Sequence, residues 1–336
     1  MPEYIWRIIL GVFIAVFVMA TYWYQKKRGG KDGVKKTTKS TEFTTNFTEL
    51  AKQGKIDKVS GREEEIERMI HILMRRTKSN PLLLGEPGVG KTAVVERLAQ
   101  RIVNKEVPKA LEDKQLWVLD LNALLSGTQY RGELEKRLQS FLNQMQGMSR
   151  QVIIFIDEIH LLEQAGKAEG SMQVSDVLKP ALSRGDLQVI GATTWKEYQE
   201  YVKPDEPLNR RFMPVFVDEP NVKQTMAMLK TLRADYEKFH KVKISDKALE
   251  AAVKLSDTKI TTRYLPDKAI DLMDEAAAKV SIECSPGYKV PLGVVHAASK
   301  KCKKEVTPKD IAAVVDQWVI HNKEEAKRDA RKSKKN

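Results

Sequence analysis

Two stretches hold residue types at spacings that could do chemistry on a phosphate. The first is Gly85-Glu86-Pro87-Gly88-Val89-Gly90-Lys91-Thr92, which follows the apolar Pro81-Leu82-Leu83-Leu84 and runs through Ala93 into a helical pattern. Glycines let the backbone wrap closely enough to aim several N–H groups at one anion, and a helix N-terminus behind them adds a positive dipole end. Lys91 is then placed to reach the β- and γ-phosphates of a nucleotide, and the Thr92 hydroxyl to ligate Mg²⁺. The second stretch is Val152-Ile153-Ile154-Phe155-Ile156-Asp157-Glu158, an apolar run ending in paired carboxylates. Alone, such a run mostly means a strand leaving the core. On a buried strand beside the phosphate loop, Asp157 would hold the Mg²⁺ shell and Glu158 would polarise the attacking water.

These side chains need a scaffold, and the sequence supplies the pattern for one. From Phe47, helical patterns (Glu63 to Arg76, Lys91 to Asn104, Gly132 to Gln146) alternate with short apolar runs (Leu82 to Leu84, Leu116 to Leu119, Val152 to Ile156, Leu187 to Ala192, Pro214 to Val217). That alternation predicts an α/β domain over residues 47–220, a parallel sheet covered by helices on both faces. Its ligand would sit at the carboxyl ends of the strands. Beyond Pro220 the strand signal stops. Helical patterns at Gln224 to Phe239, Asp246 to Ser256, Pro266 to Cys284 and Pro308 to His321 predict a small all-helical domain over 221–321. The charged residues 322–336 read as a basic disordered tail.

The net charge of +13 looks like a nucleic-acid signal until it is located. Residues 25–40 carry seven Lys/Arg against one Asp, and 322–336 carry seven against three acids, so ten of the thirteen charges lie in two flanking segments. The body is nearly neutral, which argues against a nucleic-acid-binding face. Ile8 to Tyr24 is a 17-residue run without a charge, closed by Tyr22-Trp23-Tyr24 and followed by Lys26, Lys27 and Arg28. It reads as one transmembrane helix (residues 1–24), with the basic side cytoplasmic and residues 25–46 a flexible linker beneath the lipid. A cleaved signal peptide ending near Ala20 is the competing reading; the charge after the run and the phosphate loop downstream favour an anchor. Cys284 and Cys302 have neither metal spacing nor a disulfide framework, so both read as packing or surface thiols in a reducing compartment.

From about Thr44 to Ala278 the chain resembles the first ATPase module of the Clp AAA+ unfoldases (ClpA, ClpB, ClpC). Gly54 to Arg62 resembles the family's segment leading into the nucleotide site, where Val59 and Ser60 would line the adenine pocket. Gly85 to Thr92 and Asp157-Glu158-Ile159-His160 match its two ATP motifs, so the resemblance implies ATP and Mg²⁺. Gly191-Ala192-Thr193-Thr194 falls at the first sensor, with Thr194 feeling the γ-phosphate. Asn209-Arg210-Arg211-Phe212 matches the arginine-finger motif. Leu265-Pro266-Asp267-Lys268 opens the lid segment, whose Pro266 and Lys268 would contact nucleotide. An Arg pair on a loop does not easily fold back onto its own γ-phosphate, so Arg210 and Arg211 should complete a neighbour's site. That implies a homo-oligomeric ring, usually a hexamer.

Gln129-Tyr130-Arg131-Gly132 resembles the family's pore loop, in which an aromatic grips an extended polypeptide, and Ala165 to Gly170 resembles the second pore loop. His160 reads as a packed residue rather than a catalytic one. No H-E-x-x-H occurs, which excludes a fused zinc protease. Neither a second ATPase module nor a coiled-coil insertion is visible, so a single-module protein with an anchor is the expectation. The leading functional expectation is a membrane-tethered ATPase at the cytoplasmic face of the inner membrane that unfolds, threads or remodels protein substrates. The alternative is an ATPase or scaffold subunit of a membrane-associated secretion or conjugation apparatus.

Overall fold

The structure, a computed structural model, describes residues 43–126, 131–148, 151–164, 187–285 and 304–333. Six strands form the main sheet: β1 (Thr44–Asn46), β2 (Asn80–Leu84), β3 (Gln115–Leu119), β4 (Val152–Ile156), β5 (Gln188–Thr193) and β6 (Phe212–Phe216), in the order β1-β3-β4-β5-β2-β6. β3, β4, β5, β2 and β6 run parallel. Their apolar runs are continuous because both faces are covered. Leu82, Leu84, Ile154, Ile156 and Val189 pack into one core, and Leu83, Ile153, Phe155, Ile190 and Val215 into the other.

The helices packed with this sheet include α1 (Phe47–Lys52), α2 (Glu63–Leu73), α3 (Lys91–Val103) and α4 (Arg131–Gly147). β2 lies between β5 and β6, both later in the chain, and a crevice therefore opens at its carboxyl end. The sheet is not wholly parallel. β1 adds an antiparallel edge to β3, with Thr44 opposite Leu119. This corrects the linker boundary at residue 46: Asn46 accepts from Glu49 N at 3.0 Å to cap α1, so the ordered chain begins before Phe47.

The second domain packs α5 (Val222–His240), α6 (Asp246–Lys259), α7 (Asp267–Glu283) and α8 (Pro308–Ser333) around a third core containing Leu249, Val253, Leu272, Met273, Ala276 and Val314. It is not strand-free. β7 (Lys243–Ile244) and β8 (Glu305–Val306) pair in parallel, two residues each. Nor is the charged tail irregular, since α8 continues to Ser333. Ala, Glu, Lys and Arg are strong helix formers, and charge alone does not forbid a helix. Cys284 is disulfide-bonded, contrary to the reading of it as a thiol. Sequence spacing does not reveal which cysteines meet in space. Among the described residues no helix is long and apolar enough to cross a membrane, and Ile8 to Tyr24 lies outside them.

Candidate active site

The phosphate loop is the turn between β2 and α3. Gly85 N donates to Thr193 O at 3.2 Å, tying the loop to the neighbouring strand. A Cβ at Gly85 would lie 2.3 Å from Val217 O, so only glycine lets the chain leave the sheet there. Gly90 is the N-cap of α3, and the first N–H groups of that helix have no acceptor within it. Lys91 folds back over the loop, its ammonium donating to Gly85 O at 2.8 Å and Glu86 O at 3.2 Å. Burial holds its pKa below the ordinary lysine value, against the raising pull of Asp157, Glu197, Glu86 and Glu158. An anion in the loop would meet this cation beside the helix N-terminus.

Thr92 Oγ1 donates to Asp157 Oδ2 at 3.1 Å, bringing together the two residues expected to ligate metal. A hydroxyl and a carboxylate, with phosphate and water completing the shell, form the hard oxygen set that Mg²⁺ takes. Asp157 Oδ1 accepts from Glu158 N at 2.9 Å, which leaves the exposed Glu158 carboxylate beyond the end of β4. Glu158 has φ of 49°, a left-handed conformation that a non-glycine residue adopts at a cost and that recurs at functional sites.

Thr194 is the N-cap of the short helix Trp195–Glu197, its Oγ1 accepting from Glu197 N at 3.2 Å. The cap uses a lone pair and leaves the hydroxyl proton able to donate. The sequence reading missed the cluster behind it, although Thr194-x-x-Glu197 is a visible capping box. Glu197 Oε2 accepts from Thr194 N at 3.0 Å and Thr193 Oγ1 at 2.9 Å, and His160 Nδ1 lies 3.2 Å away. Burial pushes the Glu197 carboxyl up. The bonds from Thr194 and Thr193 and the charge of His160 outweigh it, and the pKa falls below the ordinary value. His160 itself is buried, with Nδ1 3.0 Å from Thr193 Oγ1, as its reading as a packed residue expected.

Beside the loop lies a cavity of about 180 Å³, floored by Val89, Gly90 and Ala93, bounded by Val59 and Ser60, and roofed by Pro266 of the second domain. Six expected nucleotide contacts, Val59, Ser60, Val89, Gly90, Ala93 and Pro266, therefore share it. Ser60 Oγ is buried there without a hydrogen-bond partner. Arg62, the last residue of the segment leading into the site, steadies the floor by donating to Val89 O at 2.7 Å. Lys268 does not reach this cavity, contrary to expectation. Its ammonium donates to Ile260 O at 3.0 Å and lies 3.6 Å from Glu219 in the connection between the domains. Pro266 and Ile270, four apart, share the face of α7 toward the cavity, and a residue two positions on faces elsewhere.

Arg210 and Arg211 sit just before β6. In the parallel register Phe212 pairs with Asn80 and Phe216 with Leu84, so the arginines lie at the end of the sheet opposite the phosphate loop, about 13 Å along the strands. Arg210 is 67% exposed, with Glu206 4.0 Å away. The structure does not bring these two arginines to the site of their own chain. Tyr130 and residues 165–170 lie outside the described residues; Arg131 and Gly132 begin α4.

A family model for the ATPase family associated with various cellular activities (AAA) matches residues 81–217, and one for the AAA lid domain matches 221–336. The chain is 57% identical over 241 residues to the chaperone protein ClpB of Aquifex aeolicus (strain VF5), covering 72% of this chain and 24% of that protein. The chain belongs to the Clp family of AAA+ ATPases. This Clp-family chain is also 52% identical over 263 residues to a ClpA homolog, an ATP-binding subunit of the ATP-dependent Clp protease, from Cyanidium caldarium, covering 78% and 30% of the two proteins. Its fold matches a closed-state cryo-EM reconstruction of Hsp104 with ATPyS and FITC casein at a TM-score of 0.70 and 42% identity, over 82% of this Clp-family chain and 46% of that one. The chain spans only about a quarter to a third of the length of the curated relatives it matches, 24% and 30% in these two cases.

Proposed function

We propose that this Clp-family chain hydrolyses ATP in a ring of copies and uses the cycle to unfold, thread or remodel protein substrates. The observation that carries the reading is the Thr92–Asp157 pair beside Lys91 in one chain, with Arg210 and Arg211 at the far end of the sheet. In this reading loop N–H groups and Lys91 bind the phosphates, and Thr92 and Asp157 are the residues that would hold Mg²⁺, which when bound would supply positive charge against the phosphates. Glu158 takes a proton from water as its oxygen attacks the γ-phosphorus; the bond to the bridging oxygen breaks, leaving ADP and phosphate. Thr194 donates to the γ-phosphate, and Arg210 and Arg211 complete the site of the adjoining copy. Tyr130 grips the polypeptide. Support for protein substrates comes from the likeness to an Hsp104 seen with casein.

The run from Ile8 to Tyr24 anchors the ring at the cytoplasmic face of the inner membrane, a proposal supported by its apolar length and the lysines after it. The test is Glu158→Gln in the full chain. ATP turnover should fall by about a hundredfold or more while ATP affinity is kept, and trapped clients should co-purify from detergent-solubilised membranes. Unimpaired hydrolysis would remove Glu158 from the mechanism, and recovery from the soluble fraction would remove the anchor.

A further inference from the structure

Glu96 stands one helical turn beyond Thr92 on α3 and lines the lid-roofed cavity. The cavity adjoins the phosphate loop along Val89, Gly90 and Ala93, so a nucleotide with its phosphates in the loop lays its base here. Val59, Val89, Leu232, Pro266 and Ile270 give it apolar walls suited to a flat ring. The charged and titratable groups facing Glu96 across it are Asp57, Lys58, Arg62 and Tyr236. Arg62 is occupied by Val89 O and by Glu65 at 2.7 Å. Burial first, and Asp57 second, push the Glu96 carboxyl up to about 7. Burial likewise pushes the Tyr236 hydroxyl up to about 12, so it stays neutral.

We propose that Glu96 reads the edge of the nucleobase and sets the preference of this site for adenine over guanine. A neutral carboxylic acid offers one O–H donor and one acceptor. Adenine presents the matching pair, an acceptor at ring N1 and a donor at the 6-amino group. A carboxylate offers acceptors only and matches the two donors of guanine at N1 and the 2-amino group. The protonated form of Glu96 therefore favours adenine and the ionised form erodes that preference. The inference rests on the nucleotide-site reading above and adds a base-specificity residue to it.

The test is calorimetric binding of ADP and of GDP to the full chain, as wild type, Glu96→Gln and Glu96→Ala, across about pH 6 to 8. Gln keeps one donor and one acceptor without titrating, and it carries the same background of phosphate titration. The wild-type preference for ADP should fall about fivefold or more as pH rises, the low end of what a bidentate base contact is worth. Glu96→Gln should hold its preference across the range, and Glu96→Ala should lose it at the acid end. Wild type and Glu96→Gln changing in parallel would overturn the assignment, and that comparison decides even where Glu96→Ala does not fold. ADP bound by all three with one preference sinks Glu96 alone. Failure of the wild type to bind either nucleotide sinks the site reading and this inference together.

Discussion

Gly88→Ala tests whether the lid domain closes directly on the phosphate loop. Gly88 has φ of 83°, and a Cβ there would come 2.9 Å from Asp267 Cβ at the start of α7. Asp267 N in turn lies 3.4 Å from Gly88 O. Two costs add. An alanine in the left-handed region costs about 1 to 2 kcal/mol, and overpacking a formed contact costs about 1 to 3 kcal/mol. Gly54→Ala separates them, because Gly54 has φ of 65° with nothing within 4 Å of an added Cβ. Each kcal/mol lowers Tm by about 2 to 4 °C in a domain of this size, so Gly54→Ala should show the smaller drop and Gly88→Ala the larger. The second cost has a functional signature. Opening the lid would relieve the contact with Asp267, whereas a nucleotide in the cavity would hold Pro266 and Ile270 over it as they stand here. Binding must then restore about 1 to 3 kcal/mol, weakening ADP affinity by about 5- to 150-fold in Gly88→Ala and leaving Gly54→Ala unchanged. Thermal melts and ADP calorimetry on the three proteins read both effects. Equal melting shifts in the two variants, or wild-type ADP affinity in Gly88→Ala, would refute direct closure.

Lys268→Met should leave ADP affinity within about twofold of wild type while lowering stability by about 1 to 3 kcal/mol, because Ile260 O loses its donor and Glu219 the cation beside it; lost ADP binding at unchanged Tm would return Lys268 to the site. Glu197→Ala removes the acceptor for Thr193 and Thr194 and the carboxylate beside His160, and should cost about 1 to 2 kcal/mol at neutral pH. The Glu197 pKa is depressed in the folded chain, so its contribution is present above the ordinary carboxylate range and is lost as pH falls through the folded value. The melting gap to wild type should close on acidification, and a gap that widened would contradict the cluster's charge state.

What was legible in the chain had local causes. The phosphate loop, the paired carboxylates and the buried strands are short patterns whose meaning is carried by consecutive residues, and the element bounds read from them fall within three residues of the structure except at the last helix. β1 was missed because Thr44-Thr45-Asn46 is polar and three residues long, and its partner β3 lies some seventy residues on. β7 and β8 pair only two residues each across a similar separation, which no periodicity announces. Lys268 misled because a motif names positions and not directions. Its neighbours Pro266 and Ile270 face the cavity while its own stem is buried in the lid. Glu96 escaped notice for the opposite reason, looking like one more solvated helix residue until Asp57 and the lid close over it. The Glu197 cluster was half visible as a capping box, but its tie to His160 depends on β5 lying next to β4.

The reading stands on a catalytic seam shared between copies, each site cradled by one chain and finished by the next. Mixing Arg210→Ala/Arg211→Ala subunits with Glu158→Gln subunits measures this directly, since each parent lacks one half of every site. Random mixing at equal amounts should restore ATP turnover at about a quarter of the seams, where an intact Glu158 meets a neighbour's intact arginines. A mixture as inactive as its two parents, or wild-type turnover by the double arginine variant alone, would contradict a shared site.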